Sequence, residues 1–378
     1  MTTVWSFPTR IVFGAGERKR TGEEARALGV TRALLVTDRG VVQAGLHREI
    51  VTALEQAGIA TQVFDGVDPN PTEANIEAGA AALAAHRADG VISLGGGSPM
   101  DAGKLIALRA RCTLKFEELD DAIDGGRHVP AGLPPIITLP TTAGTGSEVG
   151  RSGVVTVRSS GRKTVIFSPN LLARVAILDP ELTRSMPAHV TAATGFDALT
   201  HCVEAYLSKG DHPMADAIAI AGIDIIAKNL ARATSHGDDL EARGEMMKAA
   251  MMGAVAFQKG LGACHSLAHP LSSEHGLHHG LANALCLPAV IDFNESAAAE
   301  RVLHVGLLLG AEARPGACAN ALRSLRSELG LPAGLKAVGL TPEQLPKLAD
   351  KAIEDACHQG NPRPCTRDVL LELYQKSL

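Results

Sequence analysis

Short apolar runs alternate with amphipathic stretches through the first half of the chain. RALLVTD closes near Asp38, TQVFD follows, DGVISLGGG closes near Gly97 and PPIITLP closes near Pro140. Near-continuous apolar runs of that length read as strands buried on both faces. Between them EEARALG, LHREIVTALEQAG and EANIEAGAAALAAHRADG carry apolar residues at i, i+3 and i+4, the spacing of one helix face. Strand alternating with helix predicts a mostly parallel sheet covered on both sides. VVTVRSSGRKTVIFS reads as a two-strand excursion around Ser159–Gly161, and RVAILD as one more strand. From about residue 182 the pattern is helical, with helices expected over 190–208, 214–233, 240–258, 296–309, 317–329 and 366–377, punctuated by Gly330–Pro332 and Gly360–Pro364. The expected fold is an α/β N-terminal domain with a mostly parallel sheet over 1–182 and an all-α C-terminal domain over 183–378.

With 378 residues of which 46% are hydrophobic, the chain can bury two cores. Charged residues make up 20% and the net charge is -5, leaving no basic stripe for a phosphate backbone and no polybasic patch for a membrane surface. Nucleic acid and membrane are therefore excluded as expected partners. The first twenty residues reach charged positions before an apolar core forms, and no segment approaches the roughly 18 apolar residues of a membrane span. The seven cysteines are odd in number, scattered and without a CxxC pair, which fits a reducing, cytoplasmic setting.

Three segments are built to approach a ligand closely. Gly95-Gly96-Gly97-Ser98-Pro99 ends an apolar strand and opens a helix, so glycine backbone, free helix N–H groups and a hydroxyl converge where a phosphate would sit; an ordinary tight turn is the alternative. Gly97 to Lys104 mimics a nucleotide P-loop, but five residues instead of four separate its glycines and Leu105 follows the lysine where Ser or Thr is needed. Gly14-Ala15-Gly16 with Asp38 downstream mimics a dinucleotide fingerprint, but Lys19 stands where a third small residue belongs. Asp38 at a strand end reads equally as a ribose partner or a helix cap. Thr138 to Glu148 packs hydroxyls and small residues after a strand, as a phosphate- or ribose-lining loop or a solvated turn would.

Five histidines fall between positions 265 and 279: His265, His269, His275, His278 and His279. Upstream, Asp197 and His201 stand at i, i+4 in a helical pattern, which aims a carboxylate and an imidazole from one face. His265 and His269 repeat that spacing. One carboxylate with several neutral imidazoles suits Fe2+ or Zn2+ and not the oxygen-seeking Mg2+ or Ca2+. Spacing leaves open which of His265 and His269, and which of His278 and His279, would bind.

Taken together, Gly95-Gly96-Gly97-Ser98 with Asp101, the Pro140 to Glu148 loop, the Asp197–His201 pair and Gly262-Ala263-Cys264-His265-Ser266-Leu267-Ala268-His269-Pro270 resemble, in order, the segments of the iron-containing (group III) alcohol dehydrogenase family. The resemblance covers essentially the whole chain. It implies metal ligation by Asp197, His201, His265 and His279, with Fe2+ as the ion and Zn2+ as a substitute, and His269 beside the nicotinamide and outside the ligand set; one helical turn from His265, His269 is the catalytic residue expected to relay the proton. It implies that Gly97, Ser98 and Asp101 meet the pyrophosphate, that Thr138, Thr141, Thr142, Ser147 and Lys163 line the dinucleotide, and that Asp38 and Asn70 lie near the adenosine ribose and the nicotinamide. An acidic ribose partner favours NAD over NADP. The implied reaction is reversible hydride transfer between a small alcohol, or a hydroxy acid such as 4-hydroxybutyrate, and NAD(P), giving the aldehyde. A homodimer is expected, with the strand Thr9–Phe13 paired across a two-fold axis. The competing reading is a non-redox NAD- and metal-binding enzyme of the same architecture, similar to dehydroquinate synthase. Val149-Gly150-Arg151-Ser152 departs from the family pattern beside the substrate, so the substrate is not readable.

Overall fold

A computed structural model of the chain describes residues 9–159 and 161–378. These divide into two compact units, one spanning 9–142 and 146–185, the other Ala143–Thr145 and Met186–Leu378.

The first unit is α/β. Its elements run β1 (Arg10–Phe13), α1 (Thr21–Ala27), β2 (Arg32–Val36), α2 (Arg39–Gln43), α3 (His47–Gln56), β3 (Ala60–Phe64), α4 (Glu73–His86), β4 (Gly90–Gly95), α5 (Gly97–Arg109), β5 (Ile136–Pro140), β6 (Ser152–Thr156), β7 (Lys163–Phe167) and β8 (Val175–Leu178). Among the described residues six strands form one sheet in the order β1-β8-β5-β4-β2-β3, parallel throughout. β6 and β7 make a separate antiparallel pair, the excursion expected around Ser159–Gly161. Leu34, Leu35, Ile92, Leu94, Ile137, Leu139 and Ile177 are fully buried, as continuous apolar strands between two helical layers must be. β3 and β4 both leave from β2 but on opposite sides, so the chain reverses direction in the sheet between β2 and β4. Ligands of parallel sheets gather outside the strand ends at such a switch. Gly14 and Gly16 have positive φ and form only a turn, tied to β8 by Gly14 N–H to the Leu178 carbonyl (3.1 Å) and by Gly16 N–H to Asp179 Oδ1 (3.0 Å).

The second unit is helical: α6 (Ala188–Leu207), α7 (Pro213–Ser235), α8 (Leu240–Ala256), α9 (Ala263–His275), α10 (His279–Asn294), α11 (Ala299–Leu308), α12 (Ala317–Glu328), α13 (Leu345–Ala352) and α14 (Arg367–Lys376). The helices expected from periodicity are present with ends shifted by at most three residues, while α9, α10 and α13 were absent from the expected set. Pro270 and Pro288 lie inside α9 and α10, where proline ordinarily ends a helix. α10 is also buried around nearly its whole circumference, which erases the polar face that periodicity depends on. At Pro288 the missing N–H frees the Ala284 carbonyl, and Arg326 Nη1 approaches it at 3.5 Å.

Candidate metal and dinucleotide sites

In the helical unit, α6 carries Asp197, His201 and Glu204, spaced i, i+4 and i+7 along one buried face. α9 brings His265 and His269, and α10 begins at His279 with Asn283 one turn later. Glycines set the approach. A Cβ on Gly280 would stand 2.1 Å from the Ala193 carbonyl oxygen, so α10 can start against the backbone of α6 only because position 280 has none. A Cβ on Gly262 would meet Glu204 Oε1 at 2.7 Å, which keeps the start of α9 open to that carboxylate.

One ligand atom each from Asp197, His265 and His279 lies within 4.8 Å of the others. The His201 ring stacks on that of His265, with centroids 4.6 Å apart and planes 20° from parallel. Asn283 Nδ2 donates to Asp197 Oδ1 at 2.7 Å, and His265 Nδ1 meets Glu204 Oε2 at 2.6 Å while Cys264 N–H occupies Glu204 Oε1 at 2.6 Å. A carboxylate on one ring nitrogen fixes which nitrogen is left to face a ligand. Burial pushes His201 down to about 4 and His279 well below its ordinary value, so both imidazoles are neutral donors near neutral pH. Burial pushes the Asp197 carboxyl up, but the surrounding imidazoles, His201 foremost, bring it below its usual range. The two pairs that spacing leaves open are divided by position: His278 is exposed while His279 meets Asp197, and His265 lies with Asp197 while His269 stacks on His279 (centroids 5.2 Å) and meets Asp355 Oδ2 through Nδ1 at 2.7 Å.

Glu204, Asn283 and Asp355 are the members that sequence reading missed. Glu204 and Asn283 had a signal, since each lies a helical turn beyond a recognised residue. Asp355 had none, being 86 positions from His269.

In the α/β unit the switch between β2 and β4 gathers much of the remaining set. Val36 pairs with Ser93, so Asp38 and Gly95 stand at neighbouring strand ends. Asp38 caps α2, its Oδ1 accepting from Val41 N–H at 2.9 Å, and Oδ2 lies 3.4 Å from where a Gly95 Cβ would be. Gly95 has φ 148°, and a side chain there would strike Pro99 Cγ at 2.6 Å. α5 therefore starts at Gly97 with Ser98 half-buried in its first turn. Thr141 N–H donates to the Gly95 carbonyl at 2.9 Å, and Thr142 lies 3.4 Å from a Gly96 Cβ.

Behind this rim Lys104, fully buried, donates to Ser147 Oγ at 2.7 Å and the Ser152 carbonyl at 2.8 Å, and Ser147 Oγ donates to Asp101 Oδ1 at 2.6 Å. Burial pushes Lys104 down and Asp101 up, and it raises the Glu148 carboxyl to about 7. Thr138 is fully buried, its hydroxyl directed at the Glu148 and Val175 carbonyls. Lys163 opens β7, pushed down by burial and opposed by Asp101. Asn70 stands apart from the switch, exposed, with φ 58° before Pro71; Thr156 N–H to the Pro71 carbonyl (2.7 Å) ties its neighbour to the β6–β7 pair.

Comparison with known proteins gives one consistent result. Residues 8–180 match the family model for iron-containing alcohol dehydrogenase, and residues 191–378 match the C-terminal model of the same family. The chain is 39% identical to 4-hydroxybutyrate dehydrogenase of Cupriavidus necator over 370 residues, 94% of each chain. It superposes on the crystal structure of 1,3-propanediol oxidoreductase with a TM-score of 0.95 at 34% identity, covering 100% of both chains. Sulfoacetaldehyde reductase from Bifidobacterium kashiwanohense, solved in complex with NAD+, matches with a TM-score of 0.91 at 32% identity over 100% of this chain and 98% of that one.

Proposed function

The chain belongs to the iron-containing alcohol dehydrogenase family and is an oxidoreductase acting on alcohols, and from that premise we propose that it binds one Fe2+ through Asp197, His201, His265 and His279 and oxidises a small alcohol or hydroxy acid with NAD. The observation that carries the proposal is the buried meeting of one carboxylate, Asp197, with ring nitrogens of His265 and His279, one ligand atom of each within 4.8 Å of the others. That donor set fits a borderline ion, iron or, in substitution, zinc. The bound ion supplies Lewis-acid polarisation of the substrate oxygen, and the nicotinamide exchanges the hydride.

The protein's own residues do the rest. Glu204 and Asn283 hold His265 and Asp197 in register. Asp355 holds His269 by one ring nitrogen, leaving the other to carry a proton away, so His269 is the catalytic residue in this reading. Asp38, Asn70, Gly97, Ser98, Asp101, Thr138, Thr141, Thr142, Ser147 and Lys163 hold the dinucleotide, with Thr138 and Asp101 acting from beneath the loop. The division is then a dinucleotide-binding domain over 1–182 and a metal-binding domain over 183–378. The 4-hydroxybutyrate relative supports a hydroxy acid among the substrates.

No helix among the described residues is long and apolar enough to cross a membrane. The seven free cysteines support a cytoplasmic setting. The outer edge of β1, unpaired by any strand among the described residues, supports a homodimer joined there, which sedimentation velocity tests.

Metal analysis of protein purified without air, coupled to a panel of alcohols and aldehydes with NAD and NADP, tests the whole reading. One ion per chain with NAD-dependent turnover is expected; full turnover in metal-free protein overturns it. For His269, the His269→Ala variant keeps the metal and loses roughly 10²- to 10⁴-fold in kcat. Wild-type kcat in that variant removes the relay.

A further inference from the structure

A second cluster of donors lies beside the first and shares no residue with it. One ligand atom each from His269, Asp355 and Cys357 falls within 4.8 Å of the others, so a nitrogen, an oxygen and a sulfur converge. Tetrahedral zinc holds such donors at about 2.0 to 2.3 Å, so they need to close by only about an ångström around an ion. The cluster is braced in advance. Asp355 Oδ1 accepts from Ser266 Oγ at 2.8 Å and from Cys357 N–H at 2.9 Å, and Ser266 Oγ is itself fixed by His358 N–H at 2.8 Å. With Oδ1 saturated, Oδ2 is the oxygen that faces His269. The side chains of His269 and Asp355 keep 32% and 23% of their exposure, so an ion has a way in.

We propose that His269, Asp355 and Cys357 form a second divalent-metal site that takes a thiolate-seeking ion such as Zn2+ and that filling it inhibits the enzyme. Coordination replaces the His269–Asp355 hydrogen bond with two metal bonds, the imidazole proton moving from Nδ1 to Nε2, adds a metal–sulfur bond, and releases the thiol proton to solvent. Three protein ligands leave a fourth position for water, the arrangement of an exchangeable site. The Asp197 cluster offers no sulfur, so the two sites differ in softness, and a soft ion discriminates between them. Inhibition rests on the relay role of His269 given above; the binding itself does not.

The test is a titration of the anaerobic, iron-loaded enzyme with Co2+, with iron and cobalt counted after desalting and turnover read in parallel. A second equivalent should enter together with a near-ultraviolet thiolate-to-cobalt charge-transfer band while turnover falls. Cys357→Ser should lose the band and the inhibition while retaining iron, and Ser266→Ala should weaken the second equivalent roughly tenfold to hundredfold by loosening Asp355. A wild-type enzyme that takes up no second equivalent and shows no band overturns the proposal without recourse to any variant. A band that survives Cys357→Ser belongs to another cysteine and overturns it too. If the Asp197 cluster were the assignment in error, His265→Ala and His279→Ala would keep their iron while the Cys357-dependent band still developed, so the two failures are told apart.

Discussion

Two buried clusters of ionisable groups, one in each unit, are built on opposite principles. In the α/β unit Lys104, Ser147 and Asp101 form a chain from cation through hydroxyl to carboxylate, and each member finds its partner within the protein. In the helical unit Asp197, His265 and His279 bring together acceptor atoms that share a single side-chain amide donor, Asn283 Nδ2. The first cluster is complete and holds a loop in place; the second is an excess of acceptors. Buried polar groups that neighbours satisfy fix shape, whereas buried acceptors left short of donors point to a ligand. Burial and perturbed acidity are common to both clusters, so neither distinguishes a site from a brace. The sign of the mismatch does.

The contrast is most easily broken at the metal cluster. Asp197→Ala, His265→Ala and His279→Ala should each lose stoichiometric metal, and with it several kcal/mol of transition-state stabilisation, lowering turnover by roughly 10³-fold or more. If His265→Ala and His279→Ala both retain metal and full turnover, the ligand assignment is wrong. Lys104→Met attacks the complete cluster and should act on stability, leaving metal content unchanged. Stranding Asp101 costs about 3 to 5 kcal/mol in urea unfolding, and Asp101→Asn in the same chain should recover much of it. A variant as stable as wild type would mean that Lys104 and Asp101 are not a pair.

Glu148 sharpens the comparison through pH. Its carboxyl is raised from an ordinary 4.5 to about 7, so the folded state binds the proton more tightly than the unfolded state does. Its contribution to stability is full below about 4.5 and is lost as pH rises through about 7. Glu148→Gln should flatten that decline, removing up to about 3 kcal/mol of pH-dependent stability, and an unchanged slope of unfolding free energy against pH would refute it. The smallest effect is at Asp38, where repulsion of a 2′-phosphate is worth about 1 to 3 kcal/mol. Asp38→Gly should shift the NAD to NADP ratio of kcat/KM by roughly tenfold to hundredfold. The same change removes the cap on α2, which with glycine as replacement costs only a few tenths of a kcal/mol, so specificity should move more than stability.

What the sequence disclosed follows the range over which each signal acts. β2, β4, β5 and β8 were legible because a strand buried on both faces is a continuous apolar run. Asp197 with His201 was legible because one helical turn separates them. α9 and α10 were not legible as helices, since each carries an internal proline and α10 shows no polar face to set a period. Glu204 meeting His265 and Asp355 meeting His269 are contacts across 61 and 86 positions. Only packing of separate helices creates such contacts, and no local pattern encodes them.

The edge strand β1 carries a consequence for the order in which the chain assembles. Residues 10–13 pair only with 175–178, so this rim of the sheet cannot form until more than 160 residues have followed it. At a synthesis rate of roughly 5 to 20 residues per second, the nascent strand waits on the order of ten seconds for its partner. Closing so long a loop adds little to the equilibrium cost, which grows only logarithmically, but it makes this pairing a late and slow event. During that interval an apolar strand with two open edges is exposed to other nascent chains, and chaperone dependence of folding yield should therefore be greater for the α/β unit than for the helical one.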